Sequence, residues 1–296
     1  MMTGLCAFPL TPIAHGKVDE DAFIQLIHHL AAAGVDAIGA LGSTGSYAYL
    51  TRQERQHLAK VAVDQAGGIP VMVSIGAIRL DEVLALAEAA QQAGVSAVMM
   101  APVSYQRLKP DEVLALYEAV TRQLSVPLCI YDNPGTTGFS FTDDLLAEIA
   151  AMPSVGSVKL STVAGTPLSG KARVAALRAR IPHSVSIGIS GDWQAAEGFA
   201  AGCDTWYSVA GGLFPAVCLA LTRAAQAGDH SSAARVSEGL EPLWQLFRQH
   251  GSLRVVAAAA DILGYTQPPC LPFPLRELGG AEKAQLNAVL TSLALK

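Results

Sequence analysis

Gly156-Ser-Val-Lys-Leu-Ser161 has the composition of a β-strand and carries one charge, Lys159. An ammonium inside an apolar strand costs several kcal/mol unless something pairs it or removes its proton. The chemistry that uses such a residue is nucleophilic. Burial lowers the pKa, the neutral amine attacks a ketone, and the resulting Schiff base draws electrons from the adjacent carbon. The bland alternative is a strand-end lysine that snorkels to water or pairs with a carboxylate. The other lysines are set apart by position. Lys17 follows the turn His15-Gly16, Lys60 lies on a helix, Lys109 precedes a proline, Lys171 opens a helix, and Lys283 and Lys296 belong to the C-terminal tail.

Five further stretches carry side chains or backbone suited to a site. Gly42-Ser-Thr-Gly-Ser46 flanks two hydroxyls, Ser43 and Thr44, with glycines. Exposed N–H groups there suit a carboxylate or a phosphate, although an ordinary strand-to-helix turn has the same composition. Tyr131 ends the strand before the one bearing Lys159, where a phenol can relay protons or simply line the barrel. Tyr105 is a loop aromatic, and Gly191-Asp192 follows a strand. Gly211-Gly212 suits a phosphate cup or a tight turn. The histidines, among them the neighbours His28 and His29 and the separate His57, make no ligand spacing with carboxylates, so no metal is implied and no cofactor is called for.

The elements that must hold these residues show in a recurring phrase. Ala32-Ala-Gly-Val-Asp-Ala-Ile38, Gln92-Ala-Gly-Val-Ser-Ala-Val98 and Ala200-Ala-Gly-Cys-Asp-Thr-Trp206 each end an alanine-rich helix, place Gly at its cap and open an apolar strand. Strands are expected near 5–8, 36–41, 70–75, 96–101, 127–131, 155–160, 184–188 and 204–209, mostly apolar without alternation, as strands covered on both faces should be. Helices fall between them. Residues 20–33 place Phe23, Ile27 and Leu30 on one face, Thr51 with Glu54 forms a capping box, Pro110 suits a first turn, and Thr142 caps another helix. Further helices are expected over about 168–180, 192–201 and 213–227. Eight strand–helix pairs fit an α/β fold, a (β/α)8 TIM barrel spanning 1–227. Gly228-Asp-His-Ser-Ser232 reads as a break, and 228–296 as a C-terminal helical domain. In such a barrel the site lies at the C-terminal ends of the strands, which selects the candidates above.

Composition narrows the partners. The chain has 296 residues, 51% hydrophobic and 15% charged, enough to bury a large core. Its net charge of −5, without a basic run, argues against nucleic acid. Charges interrupt the alanine-rich stretches before they can span a bilayer, and the first residues lack the pattern of a signal peptide. The five scattered cysteines form no disulfide framework, which favours a cytoplasmic setting.

Taken together, the chain resembles the dihydrodipicolinate synthase / N-acetylneuraminate lyase family, from Phe8-Pro-Leu-Thr-Pro12 through the tail. The family's second-strand loop is matched by Gly42-Ser43-Thr44-Gly45-Ser46, its tyrosine motif by Tyr131-Asp132-Asn133-Pro134, its Schiff-base strand by Val158-Lys159, its Gly-Asp pair by Gly191-Asp192, and its Ile-Ser-Val strand by Tyr207-Ser208-Val209. The resemblance implies a class I aldolase-type lyase or synthase in which Lys159 forms an imine with pyruvate or another 2-keto acid. It implies that Ser43 and Thr44 bind the carboxylate, that Gly191 and Ser208 contribute to substrate binding, and that Tyr131 transfers protons. Thr44 would link Tyr131 to a tyrosine of a neighbouring subunit, for which Tyr105 is the candidate, within a homodimer or homotetramer. The second substrate, an aldehyde or imine, is left open. Thr136 stands where synthases of the lysine precursor carry an arginine, Ser46 replaces the loop's usual Glu, and Asp192-Trp193 replaces the Asp-Glu pair of sialic acid lyases. A sugar-acid aldolase or dehydratase, or a 2-keto-acid-binding barrel without turnover, are the alternatives.

Overall fold

The computed structural model describes residues 2–163 and 170–295. Eight parallel strands close a barrel in sequence order: β1 (Gly4–Ala7), β2 (Ala37–Ala40), β3 (Val71–Ser74), β4 (Ala97–Met100), β5 (Leu128–Tyr131), β6 (Val155–Leu160), β7 (Ser186–Ile189) and β8 (Thr205–Ser208). Strand β8 returns to β1, with Cys6 paired to Tyr207. The expected (β/α)8 architecture is therefore present, with each strand within about two residues of its sequence-based range.

Helices α1 (Glu20–Ala33), α2 (Arg52–Gln65), α3 (Leu80–Gln92), α4 (Pro110–Thr121), α5 (Asp143–Ala150), α6 (Gly170–Arg178), α7 (Ala195–Ala200) and α8 (Pro215–Gln226) form the outer layer. Their ends follow local chemistry. Asp19 accepts the Ala22 N–H at 3.1 Å, Thr51 and Glu54 close the expected capping box, and Thr142 accepts the Leu145 N–H. The repeated phrase ends as read: Gly34, Gly94 and Gly202 all have positive φ, which turns each helix toward the next strand without a Cβ clash.

Two details differ from the sequence reading, and a third is untested. The helix expected over 192–201 starts as a 3-10 turn at Asp192–Gln194, and the Asp192 carboxylate there accepts a hydrogen bond from Ser208 of β8. The start expected at 168 lies outside the described residues. Residues Ile13–Ala14 and Lys17–Val18 form a small antiparallel hairpin too short to show any periodicity. The tail comprises α9 (His230–Gly239), α10 (Glu241–His250), α11 (Ser252–Ile262) and α12 (Gly280–Ser292), with no strand among the described residues. Helix α9 packs against α7 and α8. No described helix is long and apolar enough to cross a membrane.

Two apolar clusters result. The larger fills the space between strands and helices; Val158 and Leu160 of β6 point into it. The smaller fills the barrel itself and includes Cys6, Phe8, Met72, Met99, Cys129, Tyr131 and Tyr207. Strand alternation sends Ser157 and Lys159 inward, toward this second cluster.

Candidate active site

Lys159 sits opposite Tyr131 on one side and Gly188 on the other in the strand register. It is 5% exposed. Its Nζ lies 3.9 Å from the Phe8 ring centroid, 4.1 Å from that of Tyr131 and 5.5 Å from that of Tyr207. Among the described residues no carboxylate forms an ion pair with it. Burial pushes its pKa down to about 8, against the pull of Cys129, Cys6 and Asp192, which favour the charged form. Roughly a tenth of such an amine is neutral at pH 7, some 300-fold more than for an ordinary lysine. Lys159 thus neither reaches out to water nor pairs with a described carboxylate.

Tyr131 ends β5, and its hydroxyl is held from two sides. Asn133 Nδ2 donates to it at 2.9 Å, and it is hydrogen-bonded to the Ser43 side chain. Burial lifts the phenol to about 12, with the Ser43 bond working the other way. It therefore stays protonated at neutral pH. Ser43, half-buried, is the loop hydroxyl that the structure joins to Tyr131, while Thr44 is buried beside it. The loop is shaped by unusual backbone: Leu41 and Ser46 have φ of 54° and 51°, in the left-handed region that costs a non-glycine residue free energy. Gly45 is pressed against Leu41 and Thr11; a Cβ there would stand 3.0 Å from Thr11 Oγ1.

Asp192 and Ser208 form a second cluster at the ends of β7 and β8. Ser208 Oγ donates to the Asp192 carboxylate at 2.6 Å, and the N–H groups of Val209 and Ala210 reach the same carboxylate at 3.3 Å. Ser208 Oγ in turn accepts the Gly211 N–H at 2.7 Å. Burial lifts Asp192 to about 6, opposed by these bonds and by the charge of Lys159. Gly191 borders the end of β6, where an added Cβ would be 3.2 Å from Ser161 O.

The structure therefore brings Lys159, Tyr131, Ser43, Thr44, Gly191 and Ser208 to one end of the barrel. Tyr105 stands apart, 88% exposed on the loop after β4. Phe8, Tyr207 and Asn133 complete the surroundings, although neither ring was assigned a role from the sequence. Their signal was indirect: glycines at 39 and 188 inside strands, where a missing side chain commonly marks a close approach.

The dihydrodipicolinate synthetase family profile matches residues 1–293. A 4-hydroxy-tetrahydrodipicolinate synthase of Methanospirillum hungatei is 30% identical over 98% of this chain and 99% of its own length. Another, of Maridesulfovibrio salexigens, is 27% identical over 97% and 96%. The crystal structure of dihydrodipicolinate synthase from Agrobacterium tumefaciens superimposes with a TM-score of 0.93 at 42% identity, covering 99% of this chain and 98% of that one. The chain belongs to the dihydrodipicolinate synthetase family, whose members are lyases of the class I aldolase type.

Proposed function

We propose that this protein condenses pyruvate with an aldehyde or imine, or runs the reverse cleavage, through an imine on Lys159. One observation carries this reading: a buried amine, unpaired by carboxylate among the described residues, placed in register with Tyr131 and against its ring. Lys159 Nζ attacks the keto carbon. Tyr131 supplies the proton that lets the former carbonyl oxygen leave as water, and Ser43 and Asn133 hold that phenol in place. Loss of a proton from the methyl carbon then gives an enamine, which adds to the acceptor's electrophilic carbon. Ser43, Thr44 and the backbone N–H groups of their loop hold the keto acid's carboxylate. Asp192, fixed by Ser208, contributes a carboxylate whose charge favours the cationic imine. The acceptor is received between the loops after β5 and β7, where Thr136 is exposed and Trp193 partly so.

Reductive trapping tests the reading. Incubation with pyruvate and cyanoborohydride is expected to leave one covalent adduct on Lys159, located by peptide mass spectrometry. Its initial rate at saturating reductant should rise with pH and reach half of its maximum near 8, because the neutral amine is the nucleophile. Absence of an adduct refutes the imine. A half-point near the ordinary lysine value of 10.5 would show that the amine is solvated. Turnover with pyruvate and a panel of aldehydes then separates an enzyme from a keto-acid-binding barrel.

We further propose that a second copy of the chain covers the face carrying Tyr49, Ile78, Leu80 and Tyr105, and that Tyr105 enters the partner's site. These exposed apolar side chains lie on the consecutive segments after β2, β3 and β4. Light scattering should report at least twice the 30.8 kDa chain mass. A single-chain mass would end this part of the proposal.

A further inference from the structure

We propose that Phe8 and Tyr207 are positioning residues whose ring faces hold the positive charge of the Lys159 imine and fix its direction in the barrel. This rests on the Schiff-base reading above and adds to it the group that carries the charge.

The rings approach Nζ from strand ends apart from its own. Phe8 follows β1, Tyr207 lies in β8, and Tyr131 in β5 completes three sides. Phe8 and Tyr207 pack edge to face, with centroids 6.2 Å apart and planes at 74°. The barrel makes room for both. A Cβ at Gly39 or Gly42 would stand 2.4 Å or 2.6 Å from the Phe8 ring, and one at Gly188 would stand 2.4 Å from the Tyr207 ring. Gly188 is the register partner of Lys159 itself, so the Tyr207 ring occupies the place of the side chain that would neighbour the amine. The hydroxyl of Tyr207 is tied elsewhere, to Ser157 and to Cys129 Sγ at 3.7 Å, one layer nearer the N-terminal ends of the strands. Its face, rather than its oxygen, is thereby left to the amine.

The chemistry needs such a surface. An amine can shed its charge by losing a proton from nitrogen, but the imine must be cationic to draw electrons from the adjacent carbon, and it is cationic again once the enamine has added to the acceptor. In a site that excludes water, the negative faces of aromatic rings are the apolar groups able to stabilise it. The titratable groups around Nζ are few. Cys6 comes from β1, Cys129 and Tyr131 from β5, Tyr207 from β8, and Asp192 from the turn after β7. The carboxylate of Asp192 is already engaged by Ser208 and two backbone N–H groups.

The test compares ring loss with ring retention in the full chain. Phe8→Leu keeps an apolar wall without a face, whereas Phe8→Tyr keeps the face. At pH 9, where the free amine is mostly neutral and only the imine is charged, Phe8→Leu is expected to raise the pyruvate concentration for half-maximal trapping by about fivefold or more, from the usual strength of a desolvated cation–π contact. The pH half-point of trapping should fall below that of the wild type, since the ammonium loses the same support. Phe8→Tyr should restore both. If Phe8→Leu does not fold, as judged by near-ultraviolet circular dichroism, the pair Tyr207→Leu and Tyr207→Phe reads the same contrast. An unchanged half-saturation in a folded ring-deleted variant overturns the proposal. So does a half-point that moves upward, which would make the rings a barrier to water alone. A wild-type protein that forms no adduct refutes the Schiff-base reading itself; an adduct insensitive to ring loss refutes only this inference.

Discussion

Lys159→Met is expected to abolish the pyruvate adduct and turnover completely while making the folded protein more stable at pH 7. The two effects have one cause. Burial moves the amine from its ordinary 10.5 to about 8, so the native state holds its proton less tightly than the unfolded chain does. That difference corresponds to about 3 kcal/mol of destabilisation at neutral pH, at 1.36 kcal/mol per pH unit. The cost is fully present below about pH 8, shrinks as pH rises from 8 toward 10.5, and is gone above. Methionine is a similar unbranched chain that packs well against aromatic rings, so it keeps the volume and discards the charge. Chemical denaturation of both proteins at pH 7 and pH 10 measures the prediction as a difference. The variant's advantage should be largest at pH 7 and much reduced at pH 10. A variant no more stable than the wild type at pH 7 would mean that Asp192 or the rings fully compensate the ammonium, and that the amine is ordinary.

Tyr131→Phe should lower turnover by about 10²- to 10⁴-fold, the usual contribution of a positioned proton-transfer group. The ring remains, so the apolar contact with Nζ at 4.1 Å is kept. What disappears is the hydroxyl that Asn133 Nδ2 donates to and that Ser43 engages. Adduct formation should persist at a reduced rate, because Lys159 is untouched. This split, a trapped but slowly formed imine with little turnover, separates a proton-transfer role from a packing role. Turnover within threefold of wild type would assign the phenol to packing. Single-turnover measurements with pyruvate and a competent aldehyde resolve the slowed step.

Much of this molecule is written in its residue order, and the physical reason is local. Helix ends carry their own capping chemistry, as Thr51 with Glu54 and the three repeated glycines show. Barrel strands covered on both faces are continuous apolar runs, so one charge within such a run stands out, and Lys159 is legible for that reason. The same continuity hides the inward residues. A strand that is apolar on both faces does not announce which alternate set lines the barrel, so nothing local assigns Phe8 and Tyr207 to the amine. Tertiary structure alone decided three things. Strand register set Lys159 against Tyr131 and Gly188. Closure of β8 onto β1 brought two rings from opposite ends of the barrel sequence to one amine. Convergence of the strand ends paired Tyr131 with Ser43 and Asp192 with Ser208, across 88 and 16 residues of chain respectively. Each is a contact between residues far apart in sequence, set by how twisted strands pack in a closed sheet, which no local preference encodes.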